Sequence, residues 1–299
     1  MTSISVDMGG SRLKTALIDN GQIIESAILP TDTSAPREEC LAQLEKEVHR
    51  LASSYATPTS KLVLGVAFPG LVDPYSRKAI TLKGKYEDFA DFDFYSWSQE
   101  RFNLPLQLEN DANAALLGEL NFGCGRGCNN AVLMILGTGI GTATMIEGKL
   151  LRGKHFQAGC LGGHISVETL KKGKPCICGS SGCAESVGGS WALKKATGLD
   201  FQALYKAEQE GDIQAHLLME ESVDVWSTCA VNLIHAYDPD MLILSGGVLH
   251  CGNRIIRPIA ENIAQYAWTP WGNVQLQVAE IPEHSVVLGL HYLCCNTDL

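Results

Sequence analysis

What the sequence lacks narrows the choices first. No apolar run reaches the length needed to cross a bilayer, and charged Asp7 interrupts the first apolar stretch, so neither a spanning helix nor a secretory leader is expected. Positive charge is scarce: 23 Lys and Arg stand against 33 Asp and Glu, a formal net charge of -10. Phosphate backbones repel an acidic surface, which argues against nucleic acid as a partner. There is no GxxxxGK[ST] phosphate loop, and no G-x-G-x-x-G opens a helix after the first strand. No low-complexity segment or clear linker breaks the 299 residues, a length that suits two lobes, and 45% apolar content can fill sizeable cores.

Cysteine, by contrast, is plentiful. Without a leader, the 11 cysteines are expected to be reduced, in a cytoplasmic protein. Most of them (Cys40, Cys124, Cys128, Cys160, Cys229, Cys251, Cys294 and Cys295) read as small buried hydrophobes. The other three are concentrated behind a histidine. His164, Cys176, Cys178 and Cys183 follow the order H-x11-C-x-C-x4-C, a complete set for a tetrahedral, structural Zn2+ with no open position. The bland alternative is a loop with incidental cysteines, but four soft ligands this close are rarely accidental. Gly179 and Gly182 allow the tight turns such a clamp needs, and Glu185, two residues after the last sulfur, would be fixed by it.

Two glycine turns stand in related settings. Ile4 to Val6 reads as a strand ending at Asp7, then Gly9, Gly10 and Ser11 turn into a second strand, Lys14 to Ile18. Asn130 to Ile135 likewise leads into Gly137, Thr138, Gly139 and Gly141 and then the strand Thr142 to Ile146. GGSRLKTALI and GTGIGTATMI form a coarse internal duplication more than a hundred residues apart. Bare backbone N–H groups in such turns suit phosphate, and Asp7 beside them can hold Mg2+ through water. A plain hairpin explains the first turn equally well when it is taken alone.

Elsewhere, Pro36 to Ala56 has helical spacing at Leu41, Leu44, Val48 and Leu51, and Leu62 to Phe68 reads as a buried strand ending in Pro69-Gly70. Ile80 to Trp97 is poorly legible; its aromatics are either a packed loop or a lid over a substrate. Glu109-Asn110-Asp111 closes a short strand and opens the helix Ala112 to Asn121. Asp111 therefore reads either as a residue at or next to a helix N-cap or as a general base taking the proton of an attacking hydroxyl. Helices are expected over 191–196, 201–209, 212–237, 254–267 and 286–293, with strands at Met241 to Leu244 and Val274 to Ala279.

Taken together, Gly163-His164 with CICGSSGCAE, and ENDANAALLGE from Glu109 to Glu119, resemble the ROK family of sugar kinases across the whole chain. The paired glycine turns resemble the wider actin, hexokinase and sugar-kinase superfamily. The resemblance implies a two-lobed α/β fold of actin/hexokinase-like (ribonuclease H-like) type with an ATP cleft between lobes. The lobes are placed at 1–115, with a C-terminal helix at 285–299 packing back, and 116–284 with the zinc loop. It implies ATP as co-substrate, with Asp7, Gly9, Gly10, Ser11, Gly137, Thr138, Gly139, Gly141, Gly246 and Gly247 toward nucleotide, phosphate and Mg2+. It also implies Asp111 as base and a sugar bound by Gly70, Asn110, Asp111, His164 and Glu185. The product is expected at the 6-hydroxyl, and a homodimer is expected by the same resemblance.

The chain departs from the family pattern in two places. Lys83, Lys85 and Tyr86 fall where Asn-Leu-Pro-Gly-Trp is usual, and Cys160 stands where a sugar-binding Glu aligns, with one residue extra before His164. A thiol is a poor partner for a hydroxyl, so glucose, β-glucosides, allose, mannose, fructose and N-acetylhexosamines all stay open. The family also contains sugar-responsive repressors with a DNA-binding module ahead of the first glycine turn. Asp7 comes early and the charge is wrong for DNA, so a kinase is expected over a repressor or an inactive sugar-binding protein.

Overall fold

The computed structural model describes residues 1–55, 62–81 and 84–296. Ala56 at the end of the first expected helix, Lys83, and the last three positions of the expected helix 285–299 lie outside the described residues.

The chain divides into two compact units, Met1–Gly127 with Gly153–Gln157 and Glu280–Leu299, and Cys128–Arg152 with Ala158–Ala279. In chain order the first runs β1 (Thr2–Met8), β2 (Arg12–Asp19), β3 (Gln22–Pro30), α1 (Arg37–Ser54), β4 (Leu62–Phe68), β5 (Leu71–Asp73), β6 (Lys78–Thr81), α2 (Phe94–Phe102), β7 (Leu106–Asn110) and α3 (Asp111–Phe122). The second holds β8 (Ala131–Leu136), β9 (Ile140–Ile146), β10 (Lys149–Leu150), α4 (Ala184–Gly188), α5 (Ser190–Thr197), α6 (Phe201–Gln209), α7 (Ile213–Tyr237), β11 (Met241–Ser245), α8 (Asn253–Tyr266) and β12 (Gln275–Val278). Helix α9 (Ser285–Cys295) returns to the first unit. The expected division after residue 115 falls inside α3, a continuous helix, and the first compact unit runs on to Gly127.

The duplication seen in the glycine turns extends to the sheets. The first unit orders its strands β3-β2-β1-β4-β7 and the second β10-β9-β8-β11-β12. In each, the first three strands are antiparallel and the last two join in parallel. Both sheets even turn their outer hairpins alike. Asn20 (φ 48°) with Gly21 (φ 78°) and Glu147 (φ 51°) with Gly148 (φ 74°) put two successive residues in the left-handed region, which matches the twist of the flanking strands.

In the first unit the strand period of two sorts side chains onto two cores. Ile4, Val6 and Met8 face α1, whose Leu41, Leu44, Val48 and Leu51 recur at helical spacing. Most aromatics of the poorly legible stretch join this core: Phe89 and Phe94 are fully buried around Phe68, and Tyr95 stays exposed. On the other face Ala67 meets Ala114 of α3 and Leu290 of α9. There α3 and α9 cross backbone to backbone: a Cβ on Gly118 would lie 1.9 Å from the Ser285 carbonyl oxygen, and one on Gly289 1.8 Å from that of Ala114. In the second unit a core cluster lies between the sheet and its helices, with Trp226 of α7 buried against Phe201 of α6. No described helix is long and apolar enough to cross a membrane. Of the eight cysteines expected to be mostly buried, Cys40, Cys229, Cys251 and Cys294 are; Cys124, Cys128 and Cys160 are partly covered and Cys295 is exposed.

Candidate active site

In the first unit the site grows from the ends of β1, β4 and β7. Asp7 sits in register with Lys14 on β2 and Ala67 on β4, and is 7% exposed. Burial, reinforced by the charge of Asp111 and opposed by Lys14, pushes its carboxyl up to about 7. The turn that follows must be glycine at its first position, because a Cβ on Gly9 would lie 2.6 Å from the Arg12 carbonyl oxygen. Tyr86, itself buried, donates its hydroxyl to the Gly9 carbonyl at 3.0 Å. Across Gly10 lies the end of the Lys85 side chain, its Nζ 2.6 Å from where a Cβ would stand. Ser11 accepts the Thr31 N–H through its carbonyl, tying the turn to the start of the α1 loop.

Strand β7 ends at Asn110, and Asn110, not Asp111, caps α3. Its Oδ1 accepts from the N–H groups of Ala112 (3.0 Å) and Asn113 (3.2 Å). Its Nδ2 donates to the Gly70 carbonyl (3.1 Å) and to Asp111 Oδ1 (3.2 Å). The Asn110 amide thus makes four hydrogen bonds inside the protein, and Gly70 enters the site through its carbonyl. Asp111 is the first residue of the helix, and its Oδ1 also accepts the Ala112 N–H at 2.8 Å. Burial raises its carboxyl to about 6, against the pull of the Ala112 N–H and the Lys85 charge. A carboxylate so tuned is ionised at neutral pH yet basic enough to take a proton. Beneath it, buried Glu109 accepts from the Asn110 N–H (2.9 Å) and the Asn113 amide (3.0 Å), locking the strand-to-helix junction.

The second unit repeats the glycine turn between β8 and β9. Gly137 donates its N–H to the Gly139 carbonyl at 3.0 Å, and Gly141 pairs with Ile135 where β9 begins. Helix α5 docks on this turn: the Trp191 N–H reaches the Thr138 carbonyl (2.9 Å) and the Ser190 N–H that of Gly137 (3.3 Å). Glu185 is held here as well. Its Oε2 accepts the Ile140 N–H (3.0 Å) and its Oε1 the Trp191 indole N–H (3.3 Å). A Cβ on Gly139 would meet that Oε2 at 2.2 Å, so glycine is what admits the carboxylate. At the end of β11, Gly246 takes a left-handed φ of 103° and packs so closely on Leu136 that a Cβ would lie 2.2 Å from its carbonyl oxygen. This sets the Gly246-Gly247 turn beside Gly137.

His164, Cys176, Cys178 and Cys183 converge, their ligand atoms all within 4.8 Å of one another. His164 Nδ1 lies 3.6 Å from the Cys176 sulfur, and the Cys178 and Cys183 sulfurs are 3.6 Å apart. A tetrahedral ion with metal–sulfur arms of ~2.3 Å has edges of about 3.8 Å, so the set fits a Zn2+-sized ion. The loop is shaped for it. Gly179 (φ 93°) and Gly182 (φ 74°) turn left-handed, the Cys176 N–H reaches the Ser180 carbonyl (2.9 Å), and Cys183 pairs with Ser166 as an isolated bridge. Cys183 caps α4, the helix that carries Glu185.

The structure thus gathers Asp7, Gly9, Gly10, Ser11, Gly70, Asn110 and Asp111 in one unit. It gathers Gly137, Thr138, Gly139, Gly141, His164, the three cysteines, Glu185, Gly246 and Gly247 in the other. Sequence reasoning did not place Lys85 or Trp191 at these turns. The only trace of Lys85 was a cation after a glycine in a stretch that left the family pattern.

Duplicated sheets of this order, each presenting a glycine turn at its first hairpin and one carrying a carboxylate at a strand-to-helix junction, define an actin/hexokinase-like fold of the sugar-kinase kind. The chain belongs to the ROK family, whose pattern matches residues 3–296. It is 26% identical to a glucokinase of Thermotoga maritima over 96% of this chain and 95% of that protein. It is 24% identical to a xylose repressor of Bacillus spizizenii over 96% of this chain and 75% of the repressor. The structure of a ROK family glucokinase from Streptomyces griseus, in complex with glucose and AMPPNP, superimposes with a TM-score of 0.79 at 25% identity, covering 98% of this chain and 99% of that one.

Proposed function

We propose that this chain is an ATP-dependent carbohydrate kinase, moving the γ-phosphoryl group of ATP to a hydroxyl, the 6-hydroxyl, of a hexose or hexose derivative. The observation that carries the reading is the partly buried Asp111 carboxylate, raised to about 6 at the head of α3 and held by Asn110. In this reading Asp111 takes the proton of the sugar hydroxyl as its oxygen attacks phosphorus, and the bond to the β-phosphate breaks. Gly9 to Ser11 and Gly137 to Gly141 offer N–H groups to the phosphates, and Gly246-Gly247 lies toward the nucleoside. The close Asp7 and Asp111 charges are eased by Mg2+ arriving with ATP, and Asp7 orders it. The relatives named as glucokinases support the reaction class. Steady-state ADP formation with ATP and a panel of hexoses tests it. Sugar binding without turnover would instead favour a regulator, the reading that the xylose repressor likeness supports.

We assign the four-ligand cluster to structural Zn2+, held by His164, Cys176, Cys178 and Cys183. Metal analysis of purified protein is expected to give about one zinc per chain, and Cys183→Ser should lower both zinc content and thermal stability. A metal-free, fully folded preparation would remove the assignment.

Glu185 has a second duty in this reading. A carboxylate has about four acceptor positions, so it can hold Ile140 and Trp191 and still take a sugar hydroxyl. Glu185→Ala should therefore raise the KM for ATP by roughly tenfold or more, through the loosened β8–β9 turn, besides weakening sugar binding. An unchanged ATP KM with only the sugar KM moved would leave Glu185 a sugar ligand alone.

A further inference from the structure

We infer that Lys85 is a specificity-determining phosphate ligand of this site, its ammonium clamping the γ-phosphoryl group of a nucleoside triphosphate against the Gly9–Gly10 turn. The inference rests on the kinase reading for its role in turnover, but on geometry for its placement.

Three observations place the cation. The outer half of the Lys85 side chain lies along Gly10: a Cβ there would sit 2.6 Å from Nζ, 3.2 Å from Cε and 3.5 Å from Cδ. Gly10 is thus the gap into which the ammonium fits. Next, the neighbouring residue pins the segment. Tyr86 takes a left-handed φ of 46°, is buried among Phe68 and Phe89, donates its hydroxyl to the Gly9 carbonyl and its N–H to Thr33 at 3.0 Å. A non-glycine residue held at positive φ is a local cost that the surrounding packing must sustain. Gly84 adds an N–H to Glu87 at 2.9 Å. The backbone that launches Lys85 is therefore fixed on both sides. Last, the Lys85 charge reaches Asp111 and draws that carboxyl down, so the cation stands on the side of the turn that carries the proposed base. A cation held over the Gly9–Gly10 turn, within reach of the proposed base, has the composition of a phosphoryl clamp.

In the transfer step the acceptor oxygen forms a bond to γ-phosphorus while the bond to the β-phosphate oxygen breaks, the electron pair leaving on ADP and the hydroxyl proton passing to Asp111. Lys85 forms and breaks no covalent bond. Its charge faces the equatorial γ-oxygens, which ADP lacks, so it distinguishes the triphosphate from the diphosphate.

The test compares AMPPNP with ADP, each with Mg2+, by calorimetric titration on wild type, Lys85→Gln and Lys85→Arg, alongside kcat with ATP and sugar. For Lys85→Gln we expect at least ~10-fold weaker AMPPNP binding, ADP within about 2-fold, and kcat lower by roughly 10²–10³-fold. Lys85→Arg should recover most of the AMPPNP preference. Equal losses for both nucleotides, no loss for either, or no AMPPNP binding by wild type would overturn the clamp. The two readings fail separately. Wild-type turnover with an unchanged AMPPNP-to-ADP ratio removes Lys85 but keeps the kinase. A ratio lost in Lys85→Gln without any wild-type turnover removes the kinase but keeps the clamp.

Discussion

Asp111→Asn is expected to lower turnover by roughly 10²–10⁴-fold, the usual worth of a general base, while the protein stays folded and binds sugar and nucleotide nearly as before. The helix cap does not confound the result, because Asn110 provides it. An amide at 111 keeps an oxygen for the Ala112 N–H and for the Asn110 amide. Stability separates base from structural group in a second way. Burial raises the Asp111 carboxyl from its ordinary 3.8 to about 6, so the folded state binds this proton more tightly than the unfolded chain. The stability this contributes is fully present below about pH 4 and is lost as pH rises through about 6. Asp111→Asn has no such loss, so its melting temperature at pH 7 should equal or exceed that of wild type, with the gap closing toward pH 4. A folded variant with near wild-type turnover would take Asp111 out of the chemistry.

The largest structural effect is expected at the crossing of α3 and α9. Gly289→Val must place its Cβ where the Ala114 carbonyl now stands, 1.8 Å away. No rotamer relieves that clash, because both atoms belong to helix backbone or are fixed to it. The helices must part, and Leu290 loses its seat against Ala67 and Ala114. Overpacking a core costs about 1–3 kcal/mol when side chains can shift, and here they cannot, so the cost should lie at or above the top of that range. For a unit of this size that is a fall of roughly 10 °C in melting temperature, or failure to accumulate as soluble protein. Scanning calorimetry showing a wild-type transition would mean that the helices do not approach as described.

Much of this arrangement could be read from the chain because its signals are local. Glu109 to Glu119 announces a strand, a cap and a helix within eleven letters, and of the two places left open for Asp111 the structure takes the one beside the cap, which Asn110 provides. The ligand spacing from His164 to Cys183 needs only a short loop to close, and it closes. The outer strands β3 and β10 were missed, although Asn20-Gly21 is a strong hairpin signal. The aromatic stretch was ambiguous because core and lid demand the same residues; only the sheet behind Phe68 decides for core. Lys85 over Gly10 and Glu185 on Ile140, 45 residues apart, are tertiary contacts that no spacing rule encodes.

The return of α9 to the first unit bears on how the protein is made. Its β1 and β4 pack on one face against a helix that begins at Ser285, far along the chain from both strands. When Phe122 has left the ribosome, the sheet face carrying Ala67 has only α3 over it and the groove at Gly118 is unfilled, and roughly 160 more residues must follow before α9 can complete the cover. At ordinary rates of elongation that is on the order of 10–30 s of exposed apolar surface. The second unit, built almost wholly from Cys128 to Ala279, emerges with its own core intact. Maturation of the nascent chain therefore runs against the direction of translation, and the first half-made unit is where a chaperone would be needed.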